Sequence, residues 1–185
     1  MIILRQKQYS NNEVDPLYEL DYKGLCKLYP KLKELKFFID NSKKLSDIEF
    51  QLDRCRIVID WPGLSCDLYN PDYPDLSGVD EYSTNEIRKA LKSDDWISCI
   101  GYGELSYNTK DNKFYQLDLY SRNAIKIIKP ITVENYKKEL YKNIVSWCKE
   151  EIKKNNNLEP EKQCPDFEKE VNKCILQPLK KIFKL

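Results

Sequence analysis

The chain contains no histidine in its 185 residues. That removes the side chain that titrates near neutral pH, activates most serine and cysteine nucleophiles and binds most catalytic zinc. Histidine-dependent proteases, esterases, zincins and phosphotransfer enzymes are therefore excluded. No C-x-x-C pair occurs among the seven cysteines, Cys26, Cys55, Cys66, Cys99, Cys148, Cys164 and Cys174, so neither a zinc knuckle nor a thioredoxin-like redox pair is present. Their odd number and apolar neighbours point to reduced, buried thiols. Only Cys164, beside Pro165 and close to Lys162, has the surroundings of a reactive thiol, and it has no base to pair with.

Glycine is scarce, and it builds no phosphate cradle. Gly101-Tyr102-Gly103 lacks a third glycine and a Lys-Ser/Thr pair, and permits a bulge or close backbone contact instead; Gly63-Leu64-Ser65-Cys66 is no nucleophile elbow. Long hydrophobic runs are missing too. Met1-Ile2-Ile3-Leu4 stops at Arg5, so no export signal or membrane span is expected, and the expected compartment is cytoplasmic.

One absence is local. Between Ile57 and Ile87 there is no Lys or Arg, although the whole chain holds 31 basic and 30 acidic residues for a net charge of +1. That stretch carries Asp60, Asp67, Asp72, Asp75, Asp80, Glu81 and Glu86 among Trp61, Tyr69, Tyr73 and Tyr82. Elsewhere the charges are mixed, which gives no whole-molecule attraction to nucleic acid or anionic lipid.

What is present describes a folded domain: 41% hydrophobic and 12% aromatic residues suffice for a core, and 33% charged residues for a solvated surface. Lys31–Asp40 reads as a helix with Leu32, Leu35 and Ile39 on one side, ended by Asn41-Ser42. From Ile48 the spacing turns to two, through Ile48, Phe50 and Leu52 and then Cys55, Ile57, Ile59 and Trp61, which predicts a central strand or hairpin with a bulge near Asp53-Arg54. Residues 62–82, with Pro62, Pro71 and Pro74, read as one long loop. Ser83 and Glu86 form a capping-box pattern for a short helix closed near Asp94-Asp95.

Trp96–Ile100 then predicts a strand. Leu105 and Tyr107, a polar turn over 108–112, and Tyr115, Leu117 and Leu119 predict a hairpin, and 124–128 predicts a strand ended by Pro130. Thr132 can cap a long helix whose buried stripe is Val133, Tyr136, Leu140, Ile144, Cys148 and Ile152. A tail helix starts at Pro165 and is interrupted at Pro178. The expectation is a single α+β domain over residues 1–185: a small, largely antiparallel sheet of three to six strands packed against one long helix and a C-terminal helical segment, with 132–185 as its helical part.

The acidic aromatic loop is the leading recognition surface, with Trp61, Tyr69, Tyr73 and Tyr82 as contacts and Asp67, Asp72, Asp75 and Asp80 as the charged surround. It suits a non-enzymatic intracellular protein that binds and inhibits a basic or nucleic-acid-binding partner protein. No cofactor is expected on that reading. An alternative is a metal-dependent phosphodiester hydrolase, in which Asp60, Glu104 and Asp118 converge on Mg²⁺ or Mn²⁺. A third reading is a structural or assembly protein that self-associates through Leu179, Ile182 and Phe183. The lysine-rich face of the 132–154 helix is diluted by glutamates such as Glu134, Glu139 and Glu150, which argues against direct nucleic-acid binding.

Overall fold

The structure is a computed structural model and describes residues 22–57, 63–69, 81–119 and 125–184. The chain divides into two compact units, Met1–Ser42 with Pro62–Val133, and Lys43–Trp61 with Glu134–Leu185.

The first unit opens with helix α1 (Tyr22–Leu28) and a 3₁₀ turn (Pro30–Leu35). Pro30 sits at the start of that turn, where a missing N–H costs no hydrogen bond. Helix α2 (Lys36–Arg54) begins here and continues into the second unit. After it come α3 (Glu81–Leu91) and the strands β1 (Trp96–Ile100), β2 (Leu105–Asn108), β3 (Lys113–Asp118) and β4 (Lys126–Pro130). These strands form a four-stranded antiparallel sheet in the order β1-β2-β3-β4.

The fold is thus α+β, and its sheet is a meander. The predicted hairpin is β2–β3, with Leu105 opposite Gln116 and Asn108 opposite Lys113. Its turn is fastened by the Asn108 side chain, whose Oδ1 accepts the amides of Lys110 and Asp111 at 3.1 and 3.2 Å. Asn112 takes the left-handed conformation, φ 59°, that asparagine tolerates in tight turns. Pro130 is the last residue of β4, opposite Tyr115. A proline is admitted because β4 is an edge strand.

Two aromatic contacts weld the pieces of this unit. Tyr107 lies 5.3 Å from Phe114 across the hairpin and 5.8 Å from Tyr29, which ties the first helical segment to the sheet. On the other side Ile87 of α3 packs into a cluster with Trp96 and Leu117.

The second unit is helical: the rest of α2, then α4 (Val133–Asn156), α5 (Phe167–Val171), a π-type turn (Asn172–Leu176) and α6 (Gln177–Phe183). In α4 the expected stripe is buried at Val133, Tyr136, Leu140, Ile144 and Cys148, while Ile152 is half-buried. Twenty-four residues give a rod of about 36 Å. Val171, Ile175, Leu179, Ile182 and Phe183 form the buried side of the tail, and Tyr141 of α4 meets Phe183 at 5.5 Å.

Four expectations are corrected. Ile48, Phe50 and Leu52 belong to α2 and to no strand; Phe38, Leu45, Ile48 and Leu52 are buried at helical spacing while Phe50 is 64% exposed. Asn41-Ser42 does not end the first helix, because both side chains bond back to their own helix, Asn41 Nδ2 to Phe37 O at 2.9 Å and Ser42 Oγ to Ile39 O at 3.0 Å. Ser83 does not cap α3, which has already started at Glu81; α3 closes at Leu91, before Asp94-Asp95, with Lys92 left-handed (φ 51°) and the Ser93 amide bonded to Arg88 O at 3.1 Å. Pro178 does not interrupt the tail. The π-type turn just before it, where the Gln177 amide reaches Asn172 O, widens the helix where the proline ring would otherwise press on a carbonyl one turn earlier.

Candidate functional site

The outer edge of β1 is closed by side chains and by a short piece of the acidic segment. Arg88 Nε of α3 donates to Trp96 O at 3.0 Å, and the Ser98 amide donates to Thr84 Oγ1 at 3.1 Å. A register shift between Ser98 and Ile100 then turns the next groups outward. Cys66 pairs with Ile100 in an isolated antiparallel bridge; the Asp67 amide donates to Cys99 O at 2.9 Å, and the Gly101 amide to Ser65 O at 3.0 Å.

Asp67 is the centre of this arrangement. Its carboxylate is buried, 8% exposed. Oδ2 accepts the Ser98 hydroxyl, and Oδ1 accepts the Tyr102 amide at 3.3 Å. Charge-assisted bonds of this kind offset the cost of removing a carboxylate from water. The same negative charge adds to burial, the larger cause, in pushing the thiols of Cys66 and Cys99 upward, so both stay protonated.

The carboxylate holds a strained turn. Gly101, Tyr102 and Gly103 all have positive φ, at 61°, 55° and 100°. For tyrosine this conformation costs on the order of 1–2 kcal/mol. Gly103 has a second reason to be glycine: a Cβ there would stand 2.1 Å from Ile87 Cδ1. The Ser106 hydroxyl donates to Gly103 O at 2.7 Å and the Glu104 amide to Gly101 O at 3.2 Å, which completes the turn. Its product is the Tyr102 side chain, 57% exposed at the end of β1.

The sequence-derived residues fall as follows. Asp67 is turned inward onto Ser98 and Tyr102 and does not belong to an exposed charged surround. Tyr69 is half-buried, two residues beyond it, its amide bonded to Cys66 O at 2.9 Å. Tyr82 lies in α3. Trp61, Asp72, Tyr73, Asp75 and Asp80 lie outside the described residues, as does Asp60. The span 62–82 is not one free loop: Leu64, Cys66 and Leu68 are buried, and its last two residues are helical. Periodicity misses Cys66 because it fills its place through Ile100 of β1 and not through neighbours in sequence.

Glu104 is buried just before β2, and its Oε1 accepts Gln116 Nε2 at 3.2 Å. Asp118 is half-buried at the end of β3, opposite Lys126. Among the described residues no group of three or more Cys, Asp or Glu is arranged to hold a metal ion. Cys164 is exposed, and α5 begins only at Phe167. No described helix is long and apolar enough to cross a membrane. The residues missed by sequence reasoning are Ser98, Thr84 and Tyr102; the one available signal was the tyrosine set between two glycines. No protein-family model, curated protein or solved structure matches this chain.

Proposed function

We propose that the chain is a non-enzymatic binding protein that engages a positively charged surface of a partner protein and inhibits the partner by covering that surface. The observation that carries this reading is the exposed Tyr102, held in a strained backbone conformation by the buried carboxylate of Asp67. Strain of this kind persists only where the surroundings impose it, and it gathers at recognition and active sites. A rigid tyrosine offers wide apolar contact and a hydroxyl while losing little side-chain entropy on binding.

The neighbouring segment supplies the sign of the charge. Between Ile57 and Ile87 every formal charge is negative, and carboxylates around an aromatic contact speed encounter with a basic surface. Asp72, Asp75, Asp80 and Glu81 take the electrostatic role, Asp67 the structural one.

The test is affinity capture from source-cell extract with three immobilised proteins: the intact chain, Tyr102→Ala, and a triple variant with Asp72, Asp75 and Asp80 changed to Asn. One basic protein retained by the first and lost by the other two is the expected result. Equal retention by all three removes both the aromatic and the charge part of the proposal.

A further inference from the structure

Four of the seven thiols, Cys55, Cys148, Cys164 and Cys174, belong to the helical unit. Cys148 is sealed in the apolar stripe of α4. Cys164 is exposed in the connection before α5, where Asn155 holds its amide at 3.0 Å and its carbonyl at 3.2 Å. Cys55 and Cys174 differ from both, since each is half-buried. They are open to small molecules yet set within the packed body.

An ion pair between their neighbours sets them in the same region of the helical unit. Cys55 directly follows Arg54, the last residue of α2, and Cys174 stands four positions after Glu170, about one helical turn on the same face. Arg54 and Glu170 meet at 3.9 Å, which brings the end of α2 within side-chain reach of α5, just before the π-type turn. Arg56 is left-handed, φ 55°, and its amide and that of Ile57 close onto Asp53 O at 2.8 Å and Leu52 O at 2.9 Å, so the helix ends in a capped turn that fixes the place of Cys55. Cys174 lies within the π-type turn, whose wider winding is a frequent mark of functional positions. The Cys55 thiol is pushed up first by burial, then by Glu170 and Cys174, and least by Cys164, against the lowering effect of Arg54.

We propose that Cys55 and Cys174 are a redox modification site that closes into a reversible disulfide when the protein meets a peroxide. The Cys174 thiolate attacks one peroxide oxygen, the O–O bond breaks, and the second oxygen leaves as water or an alcohol after taking a proton. The Cys55 sulfur then displaces water from the resulting sulfenic acid, forming the S–S bond. Two electrons pass from the thiols to the peroxide, and both thiol protons end in the released molecules. Cys55, at the capped end of α2, is the resolving partner.

The experiment treats the reduced, intact chain with hydrogen peroxide, blocks remaining thiols and maps peptides by mass spectrometry without reduction. The expected product joins the Cys55 and Cys174 peptides, lighter by two hydrogens than their sum, and disappears with dithiothreitol. Cys55→Ser and Cys174→Ser lose it, while Cys164→Ser retains it. Oxidised protein also unfolds at a higher temperature than reduced protein, because the cross-link restricts the unfolded chain. A bridge from Cys174 to Cys164, or oxidation to sulfinic acid with no bridge in a protein that keeps its native circular dichroism, overturns the proposal.

Discussion

The buried carboxylate of Asp67 accepts the hydroxyl of Ser98, 31 positions further along the chain. Together with the backbone bonds of Ser65 and Asp67 with Gly101 and Cys99, this bond joins this piece of the acidic segment to the edge strand of the sheet. Asp67→Ala leaves the Ser98 hydroxyl and the Tyr102 amide without their acceptor. It should lower the unfolding free energy by about 1–3 kcal/mol, read from the urea midpoint. Asp67→Ala and Ser98→Ala combined should cost less than the sum of the two, since they remove the same bond.

Thr84 tests the closure of the same edge from the helix side. Its hydroxyl is the acceptor for the Ser98 amide at 3.1 Å, and valine keeps the shape while removing the acceptor. Thr84→Val should destabilise by roughly 1–3 kcal/mol. Amide exchange at Ser98 should accelerate while exchange in the β2–β3 hairpin changes little. Unchanged protection at Ser98 would count against the assignment.

Gly103 is required twice over, by φ 100° and by the approach of Ile87. Gly103→Ala should therefore cost about 1–3 kcal/mol of stability. Adding Ile87→Ala removes the clashing atom but not the backbone strain, so the double variant should not recover wild-type stability. Thermal unfolding of these two variants and of the Ile87→Ala single variant checks this.

Alkaline pH should destabilise the protein through its thiols. Burial is the first cause that raises Cys148 to about 12, and the same cause raises Cys66 and Cys99. With folded values above the unfolded one near 9.0, the unfolded chain loses protons first. Their contribution is fully present below that value and is lost as pH rises from there toward 12. The slope is at most about 1.4 kcal/mol per pH unit for each thiol. Urea titrations across this range should show the decline, and Cys148→Ala should flatten it.

Pro178 gives a conformational prediction. If its ring imposes the widened turn over Asn172–Leu176, Pro178→Ala should let that turn relax toward α-helical bonding. Amide chemical shifts and i→i+4 contacts over 172–178 report the change. A π-type pattern that survives the substitution would assign the widening to packing of Ile175 and Leu179.

The parts legible in sequence were those governed by local rules. The α4 stripe is one long helical repeat, so the burial of Tyr136, Leu140, Ile144 and Cys148 follows from their spacing alone. The β2–β3 hairpin was legible for a similar reason: alternating residues on either side of a polar turn leave few other pairings. Ile48–Leu52 misled because Ile48 and Leu52 fit both periods; Phe50, exposed on α2, decides between them, and exposure is a tertiary property. Asp67 misled because a carboxylate in an acidic stretch looks solvated until its distant partners are known.

Composition and periodicity by themselves determined the α+β class, the helical C-terminal part, the hairpin and the exclusion of histidine chemistry, since each depends on residue types or near neighbours. Only the tertiary structure decided that Asp67 faces inward, that Thr84 and Arg88 close the edge of β1, and that Tyr102 stands exposed between two glycines. Those outcomes rest on hydrogen bonds between segments far apart in the chain. A buried polar group takes whichever partner the completed fold brings within reach, and no local pattern records which one that is.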